Sequence, residues 1–163
     1  MVTQKKSAIR LVIMMGVLLL LTGCSLMSNK NNSAACSTVS AAVSAEAYYD
    51  EMLKCAQTRN YTEAALLYAL GGTTTWYDAQ QHPGEASTHR HKTLLSNVLN
   101  QLQPDEKTEL WKAVNAWMKN PADLRLLCSR VESRAPGSVS NMQWKSAMAS
   151  YMHCPLIVDA STL

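Results

Sequence analysis

The sequence predicts an all-α fold: one compact domain of five or six helices, braced by disulfides. Three observations carry this. Apolar residues recur at spacings of three, four and seven in segment after segment, and each segment is bounded by residues that start or stop helices. No stretch shows the two-residue alternation and β-branched enrichment of strands. Four cysteines remain beyond Cys24, Cys36 in the segment before the helices and Cys55, Cys128 and Cys154 among them, an even number that suits two bridges in an oxidising compartment.

Taken in order, Ser44 is placed to cap a first helix that runs to about Thr58 through Ala47, Tyr48, Met52 and Cys55. Arg59-Asn60 makes a tight turn. Asn60 and Glu63 stand three apart, as in a capping box, and open a second helix carrying Ala64, Ala65, Leu67, Tyr68 and Leu70. Gly71-Gly72 is expected to end it. Residues 73–81 then form a short helix or ordered turn with Trp76 and Tyr77, and Gln81-His82-Pro83-Gly84 breaks the chain.

Ser87 starts a third main helix, to about Leu102, with Leu94, Leu95, Val98, Leu99 and Leu102 inward. Pro104 followed by Asp105 and Glu106 is a strong start signal: proline tolerates the first turn, and acids favour the positive end of the helix dipole. That helix turns Leu110, Trp111, Val114, Trp117 and Met118 inward. Asn120-Pro121-Ala122-Asp123 repeats the signal, and Leu124, Leu127, Cys128 and Val131 line the helix that follows, to about Arg134. After Ala135-Pro136-Gly137, Ser138 or Ser140 begins a last helix to about His153, with Met142, Met148, Ala149, Tyr151 and Met152. Pro155 stops it.

The address lies at the N-terminus. Lys5, Lys6 and Arg10 precede the apolar run 11–21, which as a helix spans roughly 16 Å, about half a bilayer core. Those are the proportions of a secretory signal peptide. Leu21-Thr22-Gly23-Cys24 resembles the lipobox of bacterial lipoprotein precursors at all four positions. The resemblance implies cleavage before Cys24 and a covalent lipid on its sulfur and new amine. Acyl chains in that number anchor a protein stably, at ~0.8 kcal/mol per buried methylene. Ser25 in place of Asp implies the outer membrane, or the cell membrane where there is no outer one. The organisation expected is therefore a signal peptide over 1–23, a Ser- and Asn-rich lipidated tether over 24–43, the helical domain over 44–154 and a tail over 155–163.

Tyr61-x-x-Ala64-x-x-x-Tyr68 resembles the second helix of a tetratricopeptide repeat, which implies an antiparallel helical hairpin. Met52 and Cys55 depart from that family's pattern. No second copy follows at a 34-residue period, so the expectation is one hairpin and no repeat array.

Without Lys5, Lys6 and Arg10, the 15 basic residues fall to 12, against 12 acidic ones. A nucleic-acid partner, which needs a basic face, is not expected. No G-x-S-x-G or H-E-x-x-H occurs, so the chain is read as a non-enzyme without a small-molecule cofactor. A carboxylate pair drawn from Glu63, Asp78 and Glu85 is the residual catalytic possibility. His89 and His91 stand two apart, the wrong spacing for a helix metal pair, and a site with His82 or the cysteines is the competing metal reading. For the bridges, a straight hairpin turning at Pro136 puts Cys128 and Cys154 about 15 Å out of level. This disfavours that pair against Cys55–Cys128 with Cys36–Cys154, or Cys36–Cys128 with Cys55–Cys154.

The partner expected is a periplasmic or envelope protein, with the membrane reached through the lipid. Trp76, Tyr77 and Asp78, read as a contact loop, are the candidate partner-binding residues, since Trp and Tyr supply rigid contact area. The Met-rich last helix is either core or an adaptable binding face. The function ranked first is an inhibitor or immunity protein that neutralises an envelope-acting toxin. The alternatives are an accessory or pilot lipoprotein of an envelope complex and an envelope hydrolase.

Overall fold

A computed structural model describes Cys36 and residues 44–82, 84, 87–137 and 140–156. The signal peptide, Cys24, most of the tether, Glu85, Ser138 and the tail beyond Leu156 lie outside these residues. The described part is all-helical, with six helices: α1 (Ala45–Gln57), α2 (Tyr61–Gln81), α3 (Ser87–Leu99), α4 (Pro104–Lys119), α5 (Pro121–Ser133) and α6 (Asn141–Met152). No strand occurs among the described residues, and none of their helices is long and apolar enough to cross a membrane.

The boundaries follow local chemistry. The Ser44 hydroxyl accepts from the Ala47 N–H at 3.4 Å and opens α1. Arg59 takes a left-handed φ of 62° between α1 and α2. Asn60 Oδ1 accepts from the Glu63 N–H at 3.4 Å, but the reciprocal half of the expected capping box is missing. The Asn60 N–H donates to the Cys55 carbonyl instead, and the Glu63 carboxylate reaches Arg130 of α5 and Arg134 at its C-cap. At α4 the Glu106 carboxylate does reach back, accepting from the Gln103 N–H at 2.8 Å. Asn120 caps α5 through the Ala122 N–H at 2.8 Å. The helix expected to reach Leu102 ends at Leu99, although Leu102 stays buried.

The larger correction concerns α2. It does not stop at Gly71-Gly72 but continues through both glycines to Gln81, 21 residues in all. The glycines allow neighbours to approach. A Cβ on Gly71 would stand 3.0 Å from the Tyr49 ring, and one on Gly72 would stand 2.0 Å from the Tyr151 ring. Tyrosines from α1 and α6 thus lie directly on the α2 backbone, tightly at Gly71 and, at Gly72, with no room for a side chain unless Tyr151 moves. The threonines that follow are buried and helical. Thr74 and Thr75 donate to the carbonyls of Leu70 and Gly72 at 2.8 and 2.7 Å, which satisfies two of the three buried hydroxyls; that of Thr73 finds no partner among the described residues.

α2 is consequently the central helix. It touches each of the other five, and from Ala64 to Thr75 only Tyr68 is not fully buried. A helix that is apolar nearly all round must lie inside a bundle. α1 packs back along it as the antiparallel hairpin, and α6 lies chiefly on α2 with little of α5. Leu66, Leu67 and Leu70 are fully covered, each contributing ~2 kcal/mol of apolar burial. The methionines of α6 divide: Met148 and Met152 are core, whereas Met142 is 81 % exposed rather than inward. Met118 on α4, also expected inward, is 41 % exposed.

Two disulfides brace the domain, and neither is a pairing preferred from the sequence. Cys36 joins Cys55 with Cα atoms 5.2 Å apart, fixing the residue before the bundle onto α1. Cys128 joins Cys154 at 5.9 Å. The level argument against this second bridge fails for two reasons. Lys145 pairs with Glu132 at 3.1 Å, so those residues are level, and the hairpin pivots beyond Pro136. The offset between Cys128 and Cys154 falls to five residues, or about 8 Å. The helix then ends at Met152, and His153, at φ 58°, turns the chain before Cys154.

Candidate functional site

Two regions carry side chains beyond simple packing. The first surrounds His91. This residue sits on α3 in register with Leu94, Leu95 and Val98, so it faces the bundle, while His89 is exposed. Its Nδ1 is hydrogen-bonded to the Tyr49 hydroxyl, and its Nε2 lies 3.5 Å from the Tyr151 hydroxyl. The rings of Tyr49, Tyr68, Trp76 and Tyr151 stand with centroids 5.8, 5.9, 5.6 and 5.1 Å from the imidazole. Burial pushes the His91 pKa down and those of Tyr49 and Tyr151 up. All three groups are therefore neutral at pH 7. A neutral imidazole accepts at one nitrogen and donates at the other, which matches two hydroxyls. Both nitrogens are thus committed within the core, and the arrangement is a polar knot joining α1, α3 and α6.

Beside it, Arg90 donates to Asp78 Oδ2 at 3.0 Å and to Glu46 Oε1 at 2.8 Å, linking α1, α2 and α3. Burial works to raise the Glu46 pKa, but the hydrogen bond from Arg90 leads the effects that bring it below the ordinary value.

The candidate partner-binding residues fall in this region, and they are not a loop. Trp76, Tyr77 and Asp78 occupy the last turns of α2, all half-buried. Trp76 packs on Tyr151 at 4.9 Å and Tyr77 on Trp144 at 5.9 Å, while Asp78 is engaged by Arg90. The structure spreads them around the helix and does not gather them on one open face. Of the possible carboxylate pairs, those with Glu85 lie outside the described residues, and Glu63 with Asp78 does not form one. Glu63 and Asp78 stand at opposite ends of α2, about 22 Å apart along its axis, against the ~5–9.5 Å that glycoside hydrolysis needs. No cluster of three metal-ligating side chains occurs among the described residues.

The second region is a shallow apolar cleft of about 50 Å³ between α2, α4, α5 and α6. Ala65 and Ala69, one turn apart on α2, form its floor. Tyr68, Tyr151 and Trp117 form its walls, and Met118 its rim. Trp117 also carries the Arg130 guanidinium, 5.8 Å from its ring centroid. Arg130 and Arg134 share one carboxylate, Glu63, at 3.5 and 2.6 Å, so this trio is net positive. A more open depression of about 310 Å³ lies over the Cys128–Cys154 bridge between Arg125 and Lys145.

Sequence reasoning missed both regions. His91 was legible in part, because positions 91, 94, 95 and 98 share a helix face. The cleft was not, because Ala65, Trp117 and Tyr151 come from three helices whose neighbours only the fold decides. The chain matches no protein-family model, no curated protein and no solved structure.

Proposed function

We propose that the mature chain is a lipid-anchored, envelope-facing protein that binds another protein, in the first instance as an inhibitor of the immunity type. The anchor rests on the lipobox residues Leu21-Thr22-Gly23-Cys24. The observation that carries the binding reading is the cleft. It combines an apolar floor, aromatic walls and an adjacent guanidinium on a frame stiffened by two disulfides. Aromatic and arginine side chains around a small pocket are the materials of protein-binding hot spots. A rigid frame spends little conformational entropy on association.

Two measurements test this reading. Full-length chain expressed with labelled fatty acid should incorporate label, and Cys24→Ser should abolish incorporation; a soluble, unlabelled wild type would overturn the anchor. Detergent-solubilised full-length chain should then capture one soluble envelope-acting effector at 1:1 stoichiometry and suppress its activity. Capture of membrane-assembly components would favour the accessory reading. Conversion of an envelope substrate by the chain alone would favour an enzyme.

A further inference from the structure

We infer that the cleft receives one aliphatic side chain of the partner, and that a carboxylate beside it in the partner's sequence meets Arg130. The inference rests on the protein-binding reading and deepens it.

Three observations support it. The cleft's size suits the methyl end of one aliphatic side chain: about 50 Å³ over Ala65 and Ala69, where bulkier residues would have filled the space. Three of its lining side chains, Tyr68, Trp117 and Tyr151, are aromatic. The Tyr151 hydroxyl points away to His91, and Tyr68 stands edge-on to Trp111 at 5.6 Å. Met118 at the rim is unbranched and 41 % exposed, so it swings aside at little cost.

The charge sets the partner's chemistry. Two guanidiniums share the Glu63 carboxylate, and Arg134 holds the shorter contact, 2.6 Å against 3.5 Å. Arg130, over the outer face of Trp117, retains donors for a second carboxylate. A neutral aliphatic segment would leave that charge without a counterpart, and a basic one would be repelled. The complement is therefore an aliphatic residue next to Asp or Glu.

The test uses blocked dipeptides as probes, with NMR of the full-length chain in micelles. N-acetyl-leucyl-glutamyl amide should shift the Trp117 indole and Met118 methyl resonances. It should bind about tenfold more tightly than its glutaminyl analogue. Arg130→Gln should remove that tenfold preference. Ala69→Leu should abolish binding, and Met118→Lys on the exposed rim is a second variant that leaves the core untouched. No shift at tens of millimolar probe, shifts confined elsewhere, or equal binding of the two dipeptides overturns the inference. If both variants and wild type capture the same partner equally, the cleft assignment fails and the protein-binding reading stands. If the dipeptide binds as stated but no variant and no wild type captures a protein, the protein-binding reading fails instead.

Discussion

The two halves of α2 are built from different materials. The C-terminal half, from Gly71 onward, is overlaid by Tyr49 and Tyr151, which meet His91, and near its end Asp78 accepts from Arg90. The N-terminal half presents Ala65 and Ala69 to α4 and α5, and leaves a gap walled by Trp117 and rimmed by Met118. In the first region close contact is complete and the polar groups are joined, save the buried Thr73 hydroxyl, which finds no partner among the described residues. In the second the packing stops short of closure, and a positive charge is left at the edge. The contrast separates the part that holds the fold from the part where, on the proposed reading, a partner binds. Substitutions on the two sides should therefore fail in different ways.

The largest effect is expected at Gly72. A Cβ there meets the Tyr151 ring at 2.0 Å, so Gly72→Ala displaces Tyr151 and with it the contact to His91. A loss of about 3 kcal/mol is expected, read as a lower urea midpoint at unchanged slope. Gly71→Ala is the internal control. Its Cβ would be 3.0 Å from Tyr49, a clash that a small ring shift relieves. The better helix propensity of alanine offsets about 1 kcal/mol, so the net change should be under about 1 kcal/mol. Equal effects at the two glycines would break the account of the tyrosine contacts.

The disulfides come next. The bridges close sequence separations of 19 and 26 residues, and the chain-entropy model assigns each about 3 kcal/mol, with little difference between them. Replacing Cys128 and Cys154 together by Ser should lower stability by that amount. The Cys36→Ser/Cys55→Ser pair should do the same. A much larger loss for either pair would show that its bridge holds more than chain entropy, the C-terminal segment after His153 being the more exposed to such an effect.

These expectations bear on what could be read from the chain. Ser44, Asn60, Pro104 and Asn120-Pro121 were legible because a cap acts within four residues of itself. Gly71-Gly72 was misread because two consecutive glycines look alike at a helix end and beneath a neighbour's ring. Only the positions of Tyr49 and Tyr151, 22 and 79 residues away, distinguish the cases. The same limit applied to Cys128–Cys154, whose geometry depends on where the α5–α6 hairpin pivots. Met118 and Met142 failed for a related reason: helical spacing marks an apolar stripe, but the edge of that stripe is set by how far the facing helix extends.

The knot at His91 predicts a pH dependence. Its folded pKa lies below the ordinary 6.5, so the unfolded chain takes up the proton first as pH falls. Stability contributed by the neutral imidazole is complete above about pH 6.5 and declines as pH drops below it. Tyr49 and Tyr151, raised by burial, act at the other end: their contribution is complete below their ordinary value of 10.0 and is lost at higher pH. His91→Gln should flatten the acid limb between pH 5 and 6.5 while leaving the alkaline limb in place, as measured by urea midpoints across the range. An unchanged acid limb would mean that the imidazole is not held neutral by the knot.

The smallest effects on stability are expected at the two exposed methionines, and they sharpen the comparison most. Met118 is 41 % and Met142 81 % exposed. Neither fills a core position, so Met118→Ser and Met142→Ser should each change stability by no more than about 0.5 kcal/mol. Their locations differ. Met118 rims the cleft, and Met142 lies at the start of α6, outside the cleft lining. If the unclosed side of α2 is the binding side, Met118→Ser weakens partner capture and Met142→Ser does not, although Met142 is the more exposed. Exposure alone would predict the reverse order. A larger loss for Met142→Ser would move the interface to α6 and leave the cleft as a packing defect.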